Sequence, residues 1–215
     1  MEYPLRDNTN FPLALKAHMT NLKYSKNEQL LYQQYVVLEY FKANPSSRGL
    51  LEFIDMGLGK TILASAITYF YKKHDPNRRI VVLSSKSLAP NFKKGVRTYM
   101  EFLKISDTEI DEFINENYKF VSLNAGNMFE QMQRTDKTKE QVLFEKKLEK
   151  MNEHVVRNDR FLENTMLVID EAQNLFNSIT NGSKNALALY DMILRAKNIK
   201  LLFLTGTPII NYPNE

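Results

Sequence analysis

The sequence predicts an α/β domain in which a mainly parallel central sheet is flanked by helices. Five short runs, at 49–54, 80–83, 120–123, 166–169 and 201–204, are apolar at consecutive rather than alternate positions. That pattern suits strands covered on both faces. The stretches between them carry helical periodicity or dense charge, so strand and helix alternate along the chain. A glycine turn, Gly57-Leu58-Gly59, joins the first run to a helical pattern, and in such sheets ligands bind at the carboxyl ends of the strands.

In chain order, residues 1–27 read as an N-terminal extension and 28–215 as one lobe. The spacing of Leu31, Tyr35, Leu38 and Phe41 predicts a helix over 28–43, closed by Asn44-Pro45 and Ser46-Ser47. After the first run, Ile62, Ala66 and Tyr69 share one side of a helix over 61–73. Residues 135–160 are dense in lysine and glutamate, with Phe144, Leu148, Met151 and Val155 as a narrow stripe. A solvated helix resting one edge on the core is expected there, a partner-binding helix being the alternative.

Composition narrows the function classes. With 215 residues, 43% hydrophobic and 25% charged, the chain can bury the core of one large domain. Cysteine is absent, which excludes a disulfide framework, a thiol nucleophile and a Cys-ligated zinc. His18, His74 and His154 lie too far apart for a local metal motif. The opening MEYPLRDNTN has no basic start followed by an apolar run, and no stretch approaches the roughly eighteen apolar residues of a membrane span. An intracellular protein with no membrane partner is therefore expected. A net charge of +4 fits contact with nucleic acid without establishing it.

Three of the five strand ends carry chemistry. The first reads Asp55-Met56-Gly57-Leu58-Gly59-Lys60-Thr61, where Met56 to Gly59 would turn backbone N–H groups onto phosphate oxygens at a helix N-terminus. Lys60 would reach the β- and γ-phosphates of ATP and the Thr61 hydroxyl would ligate Mg²⁺. The full phosphate-loop pattern opens on glycine, but Ile54 stands at that position, and a β-branched residue does not supply a left-handed backbone. The second end reads Asp170-Glu171-Ala172-Gln173. Two adjacent carboxylates at a buried strand end are costly unless a metal or a proton uses them; Asp170 would hold Mg²⁺ and Glu171 would orient or deprotonate the attacking water. The alternative is a helix cap with an acidic first turn. The third end reads Thr205-Gly206-Thr207-Pro208, whose hydroxyls could hydrogen-bond Gln173 and couple hydrolysis to what lies beyond.

Taken in order, DMGLGKT, IDEAQ and LTGTPI resemble motifs I, II and III of superfamily 2 helicases, most closely the Swi2/Snf2-related branch. The span from Gln33 to Asn211 is also similar to the helicase-like transcription factors and nucleoside triphosphatases of large DNA viruses, the poxvirus early transcription factor small subunit and nucleoside triphosphatase I among them. Motif II ends here in Gln173, where those proteins usually have histidine. The resemblance implies a RecA-like P-loop NTPase fold and the ATP-binding lobe of an ATP-dependent helicase or translocase. It implies that a glutamine before motif I reads adenine, with Gln34 and Gln33 both fitting the position. It makes Ser84-Ser85-Lys86-Ser87 and Ser122-Leu123-Asn124 counterparts of motifs Ia and Ib, so that Lys86 and Asn124 would touch the backbone of DNA or RNA. A second RecA-like lobe bearing motifs IV to VI is implied as a partner, absent from these 215 residues. The viral likeness adds RNA polymerase or other transcription machinery as a partner, and the cytoplasm or virion as the location, with the nucleus also open. The competing functional reading is a transcription factor that uses the domain without unwinding strands.

Overall fold

The computed structural model describes residues 30–55, 57–122, 128–133 and 159–207, together with 16, 17 and 20. Helix α1, Tyr32–Ala43, leads into β1, Gly49–Phe53, and then α2, Lys60–His74. Strand β2, Arg79–Ser84, is followed by α3, Ala89–Phe102, and α4, Asp107–Asn117. Strand β3, Tyr118–Ser122, precedes a short helix α5, Met128–Gln133. A 3-10 turn, Asp159–Leu162, precedes β4, Thr165–Asp170; then come α6, Gln173–Thr180, α7, Lys184–Arg195, and β5, Lys200–Thr205.

The five strands form one sheet in the order β1-β5-β4-β2-β3, and every pairing is parallel. Consecutive apolar positions now separate by face. Ile80, Val82, Met166, Val168, Leu202 and Leu204 pack with α1, α2, α3 and α4, whereas Val81, Leu83, Leu167, Ile169 and Leu201 pack with α5, α6 and α7. Both faces are covered, which is why no alternation is visible in the sequence. Each fully buried aliphatic side chain of β4 stabilises the fold by about 1.5–3 kcal/mol. The turns after β1 and β2 lead to helices on one face and the turn after β4 to a helix on the other, and open α/β sheets bind ligands at the carboxyl ends of their strands.

The expected helix over 28–43 begins later, at Tyr32, because Leu31 is extended (φ −61°, ψ 153°) and its N–H is capped by the Gln34 side chain at 2.8 Å. The third strand is shifted towards the N-terminus of the expected 120–123 run, since Tyr118 and Lys119 pair with Ile80 and Val81. Met56, Leu123, Asn124, residues 134–158 and 208–215 lie outside the described residues, and with them most of the expected lysine- and glutamate-rich helix. Among the described residues no helix is long and apolar enough to cross a membrane.

Candidate nucleotide site

The backbone of the glycine turn forms the first half of the site. Ile54 continues the sheet, its N–H donating to the Thr205 carbonyl at 3.1 Å, and it packs against the core. Its backbone is not in the left-handed region, so the residue departing from the full phosphate-loop pattern stands where no glycine conformation is used. The left-handed turns fall instead at Gly57 (φ 84°) and Gly59 (φ 81°). Helix α2 then starts with the Leu63 N–H donating to the Gly59 carbonyl at 3.1 Å.

Helix α1 holds this loop from behind. Gln34 is buried, and its amide nitrogen donates to the carbonyls of Leu58 at 3.2 Å and Gly59 at 3.0 Å. A Cβ on Gly59 would stand 2.4 Å from that nitrogen, so glycine is required there both for its φ and for the approach of Gln34. Gln33, by contrast, is exposed. Thr61, in the first turn of α2, lies against Gly95 of α3, where an added Cβ would stand 2.4 Å from its Cγ2.

The acidic turn supplies the other half. The Asp170 carboxyl is held above its usual range, first by burial and then by the neighbouring Glu171 charge, with the Glu171 N–H (3.1 Å) and Lys60 acting in the opposite direction. Glu171 has φ 51°, a left-handed conformation that costs a non-glycine residue about 1–2 kcal/mol. Neighbouring bonds hold it there: the Ala172 N–H donates to the Leu204 carbonyl at 2.8 Å and the Asn174 N–H to the Glu171 carbonyl at 2.9 Å.

Remote in sequence, the two halves meet. Lys60 Nζ lies 3.7 Å from Glu171 Oε1, yet this buried ammonium has no hydrogen-bond partner among the described residues. Gln173 donates to Glu171 Oε2 at 2.6 Å and accepts from the Thr205 hydroxyl at 2.7 Å. The same Thr205 oxygen accepts the Thr207 N–H at 3.1 Å. A line of contacts therefore runs from Lys60 through Glu171 and Gln173 to the turn after β5.

The set fits a magnesium-bound triphosphate. A desolvated ammonium lacking acceptors is a costly group that phosphate oxygens would satisfy. Among the described residues no three His, Asp or Glu side chains cluster to hold a metal by themselves; Mg²⁺ commonly takes one or two protein ligands and completes its shell with phosphate and water.

The sequence profile of the SNF2-related domain matches residues 25–215. The chain belongs to that family. A termination factor NPH-I homolog of African swine fever virus is 28% identical over 98% of the chain, and the chain spans 30% of that relative's length. A putative ATP-dependent RNA helicase of Acanthamoeba polyphaga mimivirus is 27% identical over 89% of the chain, which covers 32% of it. The nucleoside triphosphatase I of Amsacta moorei entomopoxvirus is 22% identical over 100% of the chain, which covers 29% of it. Among solved structures, the Sulfolobus solfataricus SWI2/SNF2 ATPase core in complex with dsDNA aligns over 88% of this chain and 34% of that one, with TM-score 0.48 and 19% identity.

Within this SNF2-related domain, Lys60, Glu171, Gln173, Thr205 and Thr207 are brought into one network, with Asp170 beside it. Lys86 is exposed in the turn after β2, where Ser85 and Ser87 share a hydroxyl contact of 2.9 Å. Reading the sequence missed Glu52. This β1 carboxyl is 4% exposed, neither oxygen has a hydrogen-bond partner among the described residues, and burial pushes its pKa up to about 8. Its signal was a lone charge inside an apolar run.

Proposed function

We propose that this domain binds and hydrolyses ATP as the first lobe of a nucleic-acid translocase or helicase. The observation that carries the reading is the Lys60 ammonium, without a hydrogen-bond partner among the described residues, 3.7 Å from Glu171 and between a glycine loop and an acidic turn. Lys60 binds the β- and γ-phosphates, and the N–H groups of the loop solvate their charge. Thr61 and Asp170 would hold Mg²⁺, which would supply neutralisation of phosphate charge. Glu171 orients water and accepts its proton as the water oxygen bonds to the γ-phosphorus; the bond from phosphorus to the bridging oxygen breaks, and ADP leaves with that electron pair. Gln173 fixes the Glu171 carboxylate and transmits its position to Thr205 and Thr207.

The RNA helicase relative supports a nucleic-acid track, DNA or RNA, touched by Lys86 and Asn124. A second lobe completes the cleft in this reading, and the location is intracellular, in cytoplasm or virion. A second reading is supported by the termination-factor relative: the domain serves transcription machinery, and hydrolysis drives movement without separating strands.

ATPase rate in the presence of single-stranded DNA, duplex DNA and RNA tests both. Stimulation by at least one is expected, and Glu171→Gln should lower turnover by about a hundredfold or more while nucleotide still binds. Lys60→Ala should lose nucleotide binding. Indifference to all three polymers removes the nucleic-acid reading, whereas stimulation without duplex displacement selects the transcription reading.

A further inference from the structure

We infer that Gly95 of α3 is a positioning residue: the space of its missing side chain seats the methyl group of Thr61 and so fixes the direction of the hydroxyl that would ligate Mg²⁺. The inference rests on the nucleotide site proposed above. Gly95 is buried inside α3, Ala89–Phe102, and its φ is not positive, so its backbone does not call for glycine. An interior glycine leaves a helix less stable than alanine would. What requires it is a close approach. An added Cβ would stand 2.4 Å from Thr61 Cγ2 and 3.0 Å from Thr61 Cβ, whereas carbon atoms in contact lie about 3.5–4.0 Å apart.

The methyl and the hydroxyl of threonine leave the same Cβ, and one torsion places both. With the methyl in the niche at Gly95, the hydroxyl keeps a single direction. No hydrogen bond does this work instead: among the described residues the hydroxyl has no partner, and solvent reaches it. The backbone that carries the side chain is fixed from within α2, where the Thr61 carbonyl accepts the Ser65 hydroxyl at 2.6 Å. Mg²⁺ demands near-ideal octahedral geometry at short range, so a hydroxyl free to turn would be a poorer ligand than one held still. In Gly95→Ala the methyl must leave its niche. Rotation to another staggered position carries the oxygen away with it.

The test is equilibrium binding of ribose-labelled ATP to the whole 215-residue chain, with Mg²⁺ titrated in and with EDTA in its place. Gly95→Ala should raise the Mg²⁺ midpoint about tenfold, as changes behind a metal ligand commonly do, while binding in EDTA and the melting transition are kept. Thr61→Ser removes the methyl and retains the hydroxyl. Gly95→Ala added to Thr61→Ser should therefore move the midpoint little beyond Thr61→Ser alone. Equal weakening with and without Mg²⁺, a loss of the same size in the Thr61→Ser background, or no loss at all overturns the inference. So does a Gly95→Ala chain that unfolds, since the helices and not the side chain would then have given way. ATP binding by the unsubstituted chain that is indifferent to Mg²⁺ overturns the inference and leaves the nucleotide site standing. Failure of that chain to bind ATP overturns the nucleotide reading itself and this inference with it.

Discussion

Strand β4 runs through the middle of the sheet with Met166, Leu167, Val168 and Ile169 at most 1% exposed, whereas β1 is an edge strand that leaves Leu51 and Phe53 49% and 57% exposed and buries Glu52. Both strands deliver a turn to the proposed nucleotide site. The acidic turn inherits its place from a strand paired on both sides, with β5 and β2. The glycine loop hangs from a strand that, among the described residues, pairs with β5 alone, and is secured instead by a side chain from α1. One half is thus a backbone device braced from outside, and the other is a set of side chains on a rigid strand. They should fail differently when altered.

The largest effect is expected where the brace meets the loop. Gly59→Ala combines a left-handed backbone, costing about 1–2 kcal/mol, with a Cβ driven into Gln34, whose lost hydrogen bonds add about 1 kcal/mol each. Together these predict a loss of about 3–4 kcal/mol in chemical denaturation and undetectable nucleotide binding. Gly57→Ala is the control. Its φ is also positive, but its Cβ would meet no described residue within 4 Å, so only the backbone cost of about 1–2 kcal/mol remains. Equal losses at the two glycines would show that the brace contributes nothing.

Next in size is the buried acid on β1. The Glu52 carboxyl titrates near pH 8 when folded but near 4.5 in its ordinary state, so between those values the native protein holds a proton that the unfolded chain has released. Stability is therefore greatest below pH 4.5 as far as this group is concerned, and falls as pH rises towards 8 by about 1.4 kcal/mol per unit. Glu52→Leu should abolish this slope, its advantage over the parent growing by about 2 kcal/mol between pH 6 and pH 8 in urea titrations. A pH-independent advantage would mean that Glu52 is solvated or paired in solution, and that β1 is less buried than β4 by more than its outer face.

The same contrast explains what could be read from the sequence. Strands β2, β4 and β5 were legible because burial on both faces leaves only apolar residues in their middles. Their ends were less so: Arg79, Ser84, Thr165 and Lys200 pair in the sheet without an apolar signal. Lys60, Asp170, Glu171, Gln173 and Thr205 were legible because each stands within a few residues of a strand end. The Gln34 brace was not, since a hydrogen bond between position 34 and positions 58 and 59 leaves no local pattern. Nor was the orientation of β1, whose pairing with β5 turns Leu51 and Phe53 outward and Glu52 inward, against the usual preference of those side chains.

The smallest effect on stability is expected in the side-chain half, although its effect on rate is not small. Thr205→Val keeps the shape of β5 while removing the donor to Gln173 Oε1 and the acceptor of the Thr207 N–H. Because β4 and β5 hold the backbone in place, stability should fall by only about 1–2 kcal/mol. Gln173 would still donate to Glu171, but with its other end released the carboxylate loses its fixed direction. A misplacement worth about 1.4 kcal/mol at the transition state is tenfold in rate. Turnover should therefore drop about tenfold while nucleotide affinity, set by the loop on the other strand, changes far less. Steady-state kinetics beside equilibrium binding separates the two, and a variant that loses affinity in step with turnover would show that the acidic turn and the phosphate loop form one inseparable unit.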